Sequence, residues 1–556
     1  MSEFIIRLLI MAVPICAGGA LGWLFSPKGR IIRPIMLLAG FAIAVLIGLF
    51  FADPIGPIMV ISIGTIGFFV ALGWAWHSQG SGGSTKPTTF GSSRWANQSD
   101  LTEHKLNGNT GIRLGKFFAE GRGADISYKG DRHLLTVAPT RSGKGTTQII
   151  PNLLTYKGSM LIIDPKGENA LISAKRRQAM GQDVHIVDPW GIADVEDVRS
   201  SQFNPLDWLD LRDIDITENA MLLADALVVE GNHDKSFFIE EAKALLQGLI
   251  MYVATADEED GQRSLKRVRQ LLVSSSGDQT KLFKAMANSG HHIIASTGHR
   301  CLQKDPELLS NVLAATQAQT HFLDSARIQE NTSRSDFKFE DMKSKPMTIY
   351  LVLPSDRLNA FGRWMRLLIQ QAITVNARNI EEKPKKPILF ILDEFAAVGR
   401  LSMIEQAYGL MAGFGMQLWA IVQDFNQLER IYDKGWQSFV ANAGMINYFG
   451  STDKMTAEYF SSLCGETTVW NFSTSLASAF GGSQGQGGPS SNTSETSTDT
   501  RAAGQRKLAY PDELMRMHDQ KQLVFIENMH PMLAVKERWF DNAELKPLGV
   551  DLYAEK

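Results

Sequence analysis

The residues best suited to chemistry are Ala138-Pro-Thr-Arg-Ser-Gly143-Lys144-Gly145-Thr146, which follow a short apolar run (Leu134, Leu135, Val137) and lead into a helix opening near Lys144. The spacing is close to G-x-x-x-x-G-K-[ST]. In that pattern successive backbone N–H groups and a helix N-terminus cradle phosphate oxygens, and the lysine adds a point charge to the β/γ-phosphates. Two departures stand out: Ala138 replaces the first glycine, and Gly145 replaces the magnesium-binding hydroxyl. The contact set of such a cradle is Thr140, Arg141, Ser142, Gly143, Lys144, Gly145, Thr146 and Thr147. An ordinary strand-to-helix turn with a surface lysine would look much the same, so a second phosphate-site element has to decide.

That element is Ile388-Leu-Phe-Ile-Leu392-Asp393-Glu394, an apolar run closed by two carboxylates in the Walker B manner. Asp393 would position Mg2+, mostly through water, and Glu394 would polarise the attacking water. An apolar strand ending in a solvated acidic pair is common by itself. Together the two motifs describe a nucleotide-hydrolysing site whose cofactors are ATP and Mg2+, with Lys144 gripping phosphate. The run at 416–422 (MQLWAIV) ends in Gln423. In translocating ATPases of this architecture a polar residue there orients water and senses the γ-phosphate; a hydrogen bond to the adjacent strand is the plain alternative.

These residues need a sheet to hold them. Continuous apolar runs at 159–163 and 388–392 suit parallel strands buried on both faces, and 183–187 and 346–354, the latter by its alternating Met, Ile, Leu and Leu, read as further strands. Their alternation with helical segments makes the fold α/β and doubly wound, and polar residues at the strands' C-terminal ends (Asp164, Lys166, Glu168) face either ligand or a salt-bridged turn. From 207 to 323 the helical period dominates, which predicts an all-α insertion. Residues 112–129 read as one or two strands docking on the core, 476–501 as a flexible Ser/Gly/Thr-rich loop, and 522–527 and 532–535 as edge strands.

The formal net charge of −3 carries no global nucleic-acid signature, so any DNA contact must be local. Cys16, Cys301 and Cys464 are far apart and show no metal spacing; His291, His292 and His299 lack the spacing of a metal site. Three apolar stretches, at 5–25, 35–52 and 55–76, each approach the ~20 residues of a membrane-crossing helix. Lys28, Arg30 and Arg33 place the first link inside, the Asp53 turn outside and everything after His77 inside. Pro14 and the glycines near it leave two spans or three. A linker follows, by composition, at 79–89.

Taken in order, the motifs resemble those of type IV secretion system coupling proteins, the membrane ATPases of bacterial conjugation and effector export. The matching pieces are Gly91-Ser-Ser-Arg-Trp-Ala, Ala138-Pro-Thr-Arg-Ser-Gly-Lys-Gly, Asp164-Pro-Lys-Gly-Glu, Phe203-Asn-Pro-Leu, Thr332-Ser-Arg-Ser-Asp-Phe337, Leu392-Asp-Glu-Phe395, Gln423-Asp-Phe-Asn-Gln-Leu and 506–515. They span residues 90–545. The resemblance implies a transmembrane region (1–77), a linker with docking strands (78–130), a RecA-like P-loop nucleotide-binding domain in two parts (131–206 and 324–556) and an all-α domain between them (207–323). It also implies a homohexamer around a channel in the bacterial inner membrane, with the ATPase domain in the cytoplasm. Its partners would be the secretion channel and a relaxase–DNA complex or effector proteins. Glycine at position 145 is tolerated in that family, and Thr146 can supply the hydroxyl one residue late, beside Asp393 at the metal. Arg400 and Arg334 are candidates for an arginine reaching a neighbour's γ-phosphate. The alternatives are a chromosome-segregation type of membrane DNA translocase, which should lack the helical insertion, and a receptor that docks substrates without hydrolysis.

Overall fold

The computed structural model describes residues 88–553 apart from 120, 230–235, 411 and 486–487, with side chains described outside 236, 397–398, 410, 412 and 470–501. The apolar stretches expected to cross a membrane lie outside the described residues, among which no helix is long and apolar enough to do so. Two compact units are distinguished, a larger one of Ser93–Glu466 with the chain from Lys507 onward, and a smaller one that includes Thr467–Arg506.

The larger unit is built on one sheet. Its strands are β1 (Ile112–Ala119), β2 (Arg122–Tyr128), β3 (His133–Val137), β4 (Met160–Asp164), β5 (Asp183–Val187), β6 (Met347–Val352), β7 (Ile388–Leu392), β8 (Met416–Val422) and β9 (Ala443–Tyr448). After β10 (Glu466–Gly485) and β11 (Gly488–Lys507), which form a two-stranded sheet, come β12 (Lys521–Ile526) and β13 (Met532–Val535). The order across the large sheet is β2-β1-β13-β12-β9-β3-β8-β7-β4-β6-β5. From β9 to β5 every neighbouring pair is parallel. Beyond β9 the pairing turns antiparallel.

The apolar runs are continuous because both faces are covered. In β4, Leu161 and Ile163 enter one core while Met160 and Ile162 enter the other; β7 and β8 split in the same way, with Phe390 and Leu418 on the first side and Ile391 and Trp419 on the second. The second core receives α1 (Ile150–Thr155) and α2 (Glu168–Ala179). The first receives the insertion: α3 (Ile216–Leu227), α4 (Ser236–Thr255), α5 (Leu265–Leu272), α6 (Ser276–Ala287), α7 (His292–Gln303), α8 (Pro306–Gln319) and α9 (Ala326–Asn331). It also receives the long helix α10 (Leu358–Arg378).

Two motifs that read separately in the sequence meet at the neck of the insertion. Phe203 N–H donates to Asn331 O at 2.9 Å, Asp336 N–H to Gln202 O at 3.0 Å, and Asn204 N–H to Ser335 Oγ at 3.0 Å. The Phe203 ring stacks on Phe337 at 5.2 Å and leans on Phe339 at 4.5 Å. The helical stretch therefore runs past the expected boundary at 323 to Asn331, where the chain re-enters the sheet domain.

Two expectations are corrected. Strands β12 and β13 are interior, because the β1–β2 hairpin from far upstream pairs outside them; the edges are β2 and β5. The described residues of 476–501, expected as a flexible loop, instead fall in two strands that form their own two-stranded sheet.

Candidate functional site

Strand β3 ends at Val137, and the next residue stays tied to the sheet, Ala138 N–H donating to Val422 O at 2.8 Å. The chain then turns sharply, with Ser142 N–H donating to Pro139 O at 3.2 Å. Two residues take left-handed backbone, Arg141 at φ +63° and Gly143 at φ +89°. Glycine adopts this without penalty; for Arg141 it costs about 1–3 kcal/mol that the surroundings must hold. The helix opens with a π turn at Gly145–Ile149 and continues as α1. Its first amides have no intrahelical acceptor and face outward with the positive end of the dipole.

The helix is anchored from behind. Asn152 takes the Arg113 N–H at 2.8 Å and donates to Arg113 O at 3.0 Å, tying β1 to α1. Gln148 accepts from Thr136 Oγ1 at 3.2 Å and donates to Gln522 Oε1 at 3.3 Å, bridging β3 and β12.

Three adjacent strands bring the other groups to the cradle. Strand β8 lies between β3 and β7, so Gln423 sits between the cradle and the carboxylates. Lys144 Nζ lies 2.8 Å from Asp393 Oδ1 and 2.7 Å from Glu394 Oε1. Gln423 Nε2 donates to Glu394 Oε2 at 3.2 Å, which ties the end of β8 to the chain just past the adjacent strand β7. Glu394 has left-handed backbone, φ +54°, which turns the chain off the end of β7. The sequence-derived Lys144, Asp393, Glu394 and Gln423 are thus one connected cluster.

Burial pulls the Lys144 ammonium down, but the two carboxylates outweigh it and its pKa is raised. Burial pushes the Asp393 carboxyl up, with Lys144 pulling the other way. These directions conflict, one keeping the pair charged and the other neutralising it. With carboxylates on two sides at hydrogen-bond distance, the charged lysine is the direction the geometry supports.

The remaining cradle residues divide by role. Thr140 and Arg141 are exposed at the turn, and Thr147 is buried with its hydroxyl donating to Gly143 O at 2.8 Å. Thr146 Oγ1 donates to the same carbonyl at 3.2 Å, leaving its lone pairs for a cation. Ser142 Oγ is buried without a partner, and a side chain at Gly145 would meet open space. An orphan hydroxyl, an open glycine and a lysine between two carboxylates fit a phosphate ligand with its metal. Among the described residues no three His, Cys, Asp or Glu side chains cluster for a metal; a magnesium site of this design draws on phosphate and water instead.

Arg400 and Arg334 lie apart from this cluster. Arg400, half exposed, pairs with Glu405 at 3.5 Å and Asp433 at 3.6 Å. Arg334 sits in the insertion neck against Asp336 at 3.3 Å. Two further groups bear on the site, of which the sequence singles out only Asp164. Asp164 ends β4 beside β7; burial pushes its pKa up to about 7, although the Ala170 and Lys166 amides donate to it. Lys536, just past β13, donates to Ser142 O at 3.0 Å, and no local motif marks it.

A parallel sheet with a phosphate cradle after one strand and a carboxylate pair two strands away defines the P-loop class in its RecA-like form. The chain belongs to the Type IV secretory system Conjugative DNA transfer family, whose model matches residues 94–552. Protein VirD4 of Rhizobium radiobacter is 28% identical over 424 residues, 75% of this chain and 58% of the relative. The conjugal transfer protein TraG of Escherichia coli is 26% identical over 462 residues, 74% of this chain and 71% of the relative. This chain thus spans under two thirds of the VirD4 length. In fold it is similar to the plasmid coupling protein TrwB in complex with a non-hydrolysable ATP analogue (TM-score 0.58, 17% identity, 82% of this chain, 96% of that one). TrwB in complex with ADP and Mg2+ aligns with TM-score 0.59 at 17% identity, over 84% of this chain and 99% of that one.

Proposed function

We propose that this protein is the coupling ATPase of a type IV secretion system, recruiting a relaxase–DNA complex or effector proteins and driving their transfer. The observation that carries the reading is the Lys144–Asp393–Glu394–Gln423 cluster at the mouth of the cradle, within a chain of the conjugative DNA transfer family. ATP supplies the phosphoanhydride to be broken, and Mg2+ neutralises charge on its β- and γ-oxygens. Residues 140–147 bind the phosphates, with Lys144 as the point charge. Asp393 and Thr146 hold the metal. Glu394 takes a proton from the attacking water, and Gln423 orients the carboxylate and reports on the γ-phosphate.

Release of Lys144 from Glu394 is the first consequence of phosphate binding, because both compete for one ammonium. Glu394 is then free to accept a proton, and the Gln423 bond keeps it aimed. The same reading extends to a membrane region at 1–77, assembly as a homohexamer, sites completed between subunits, and an inner-membrane location with the catalytic body in the cytoplasm. The helical insertion, which a chromosome-segregation translocase should lack, favours the coupling reading.

The test is ATP turnover and plasmid transfer by the full chain. Lys144→Ala is expected to lose nucleotide binding. Glu394→Gln is expected to bind nucleotide and turn over roughly 100-fold or more slowly. Both should abolish transfer. Normal transfer by either variant sinks the motor, and an assembled wild-type protein without turnover in the presence of DNA makes it a docking receptor.

A further inference from the structure

Lys536 stands at the start of a segment that grips the P-loop from outside. Its N–H donates to Gln520 O at 2.7 Å, prolonging the β12–β13 pairing. Its side chain then crosses to the loop. Nζ donates to Ser142 O at 3.0 Å and lies 4.3 Å from the centre of the Phe449 ring. Three residues on, Trp539 N–H donates to Thr146 O at 2.9 Å. The segment therefore holds two carbonyls of the loop, one on each side of Lys144. It is itself fixed to the outer hairpin by Glu537, which pairs with Lys116 of β1 at 2.5 Å.

Two features set this lysine apart from a structural brace. Among the described residues it makes no ion pair, although it is partly buried against a ring and a carbonyl. The carbonyl it holds also follows Arg141, the residue whose left-handed backbone needs support. Holding Ser142 O outward keeps the neighbouring amides turned to the other side, where the phosphates would lie.

We propose that Lys536 is a positioning residue of the phosphate site, which holds the P-loop in its phosphate-binding shape and adds positive charge that an incoming nucleotide strengthens. This rests on the reading of 138–147 as a nucleotide site. Burial pulls the Lys536 amine down to about 8; Asp519 opposes this and Arg538 adds to it. Of the other charged groups nearby, Glu537 pairs with Lys116 and Lys144 with Asp393 and Glu394, while Asp519 lies 3.0 Å from the His518 ring. Because the free amine is depressed from its ordinary 10.5, it is charged below pH 8 and loses that charge as pH rises through and above it.

The experiment measures the Kd of a fluorescent ATP analogue with Mg2+ for the full chain in detergent, from pH 7 to 9.5. In the wild type Kd is expected to rise roughly tenfold across that range. Lys536→Arg, always charged, should bind tightly and stay nearly flat. Lys536→Met should bind about tenfold more weakly at pH 7 and also stay flat. Rescue by arginine and loss of the pH slope separate positioning from simple packing, and the melting temperature of each variant controls for folding. A Lys536→Met chain with wild-type affinity and slope overturns this proposal alone, as does a slope shared by all three proteins. A wild-type chain that binds the analogue no better than Lys144→Ala at any pH overturns the nucleotide reading, and this one with it.

Discussion

A lysine held between two carboxylates is an arrangement that an incoming phosphate must compete with. Lys144 lies within hydrogen-bond distance of both Asp393 and Glu394 in a partly buried space, where two acidic groups and one ammonium favour a bound cation. Asp164 belongs to the same field, since the Asp393 charge helps to push it up. Its folded-state pKa of about 7 lies above the ordinary 3.8, so the folded protein binds the extra proton. The sign follows: its burial costs nothing below the unfolded value, and the penalty grows as pH rises toward and through 7. Asp164→Asn does not titrate. The melting temperature of the wild type minus that of the variant is therefore expected to fall by a few degrees between pH 5 and pH 8. A difference that is constant with pH would show that Asp164 is ionised throughout.

At the scale of elements, the neck of the insertion decides whether two domains act as one. Phe203 is buried between Phe337 and Phe339, beneath backbone bonds that join Gln202 to Asp336 and Phe203 to Asn331. Phe203→Ala removes the ring that both strands of the neck share. It is expected to cost about 3–5 kcal/mol in urea unfolding, and to expose 332–346 to limited proteolysis, while nucleotide affinity stays unchanged. Unaltered proteolysis would mean that the backbone bonds alone hold the neck. The insertion itself was legible, because a helical period sustained over a hundred residues contrasts with the short apolar strands around it. So were β4, β7 and β8, since a strand buried on both faces leaves an unbroken apolar run. The neck was visible only as two unconnected motifs. The place of β12 and β13 was not legible at all: their outer neighbour is the hairpin at 112–128, and a short apolar run does not say what will pair beside it. The cluster of Lys144, Asp393, Glu394 and Gln423 could be read because its members stand at fixed positions after strand ends. Lys536 could not, because what makes it special is a carbonyl nearly four hundred residues upstream.

At the scale of the whole molecule, the sheet presents its cradle, carboxylates and glutamine at one end, and among the described residues no arginine pairs with those two carboxylates. Arg400 is the better placed of the two candidates. It follows β7 closely, its ion pairs are long and half exposed, and such pairs are worth at most about 1 kcal/mol, so it can leave Glu405 and Asp433 for a stronger anion. Its backbone is not loose, since Arg366 of α10 donates to Arg400 O at 2.7 Å and to Asp225 O of α3 at 3.4 Å. The insertion thus reaches the arginine through one helix. If sites are completed between subunits, Arg400→Ala should bind nucleotide normally and lose about 10³-fold or more in turnover. Glu394→Gln subunits would be dead for a different reason, and a mixture of the two discriminates. An interface that joins the intact Glu394 of an Arg400→Ala subunit to the intact Arg400 of a Glu394→Gln subunit contains every catalytic group. Mixing the two inactive proteins is therefore expected to recover a measurable part of wild-type turnover, greatest near equal proportions. An arginine serving its own subunit gives no recovery at any ratio, because every subunit in the mixture still lacks one of the two groups.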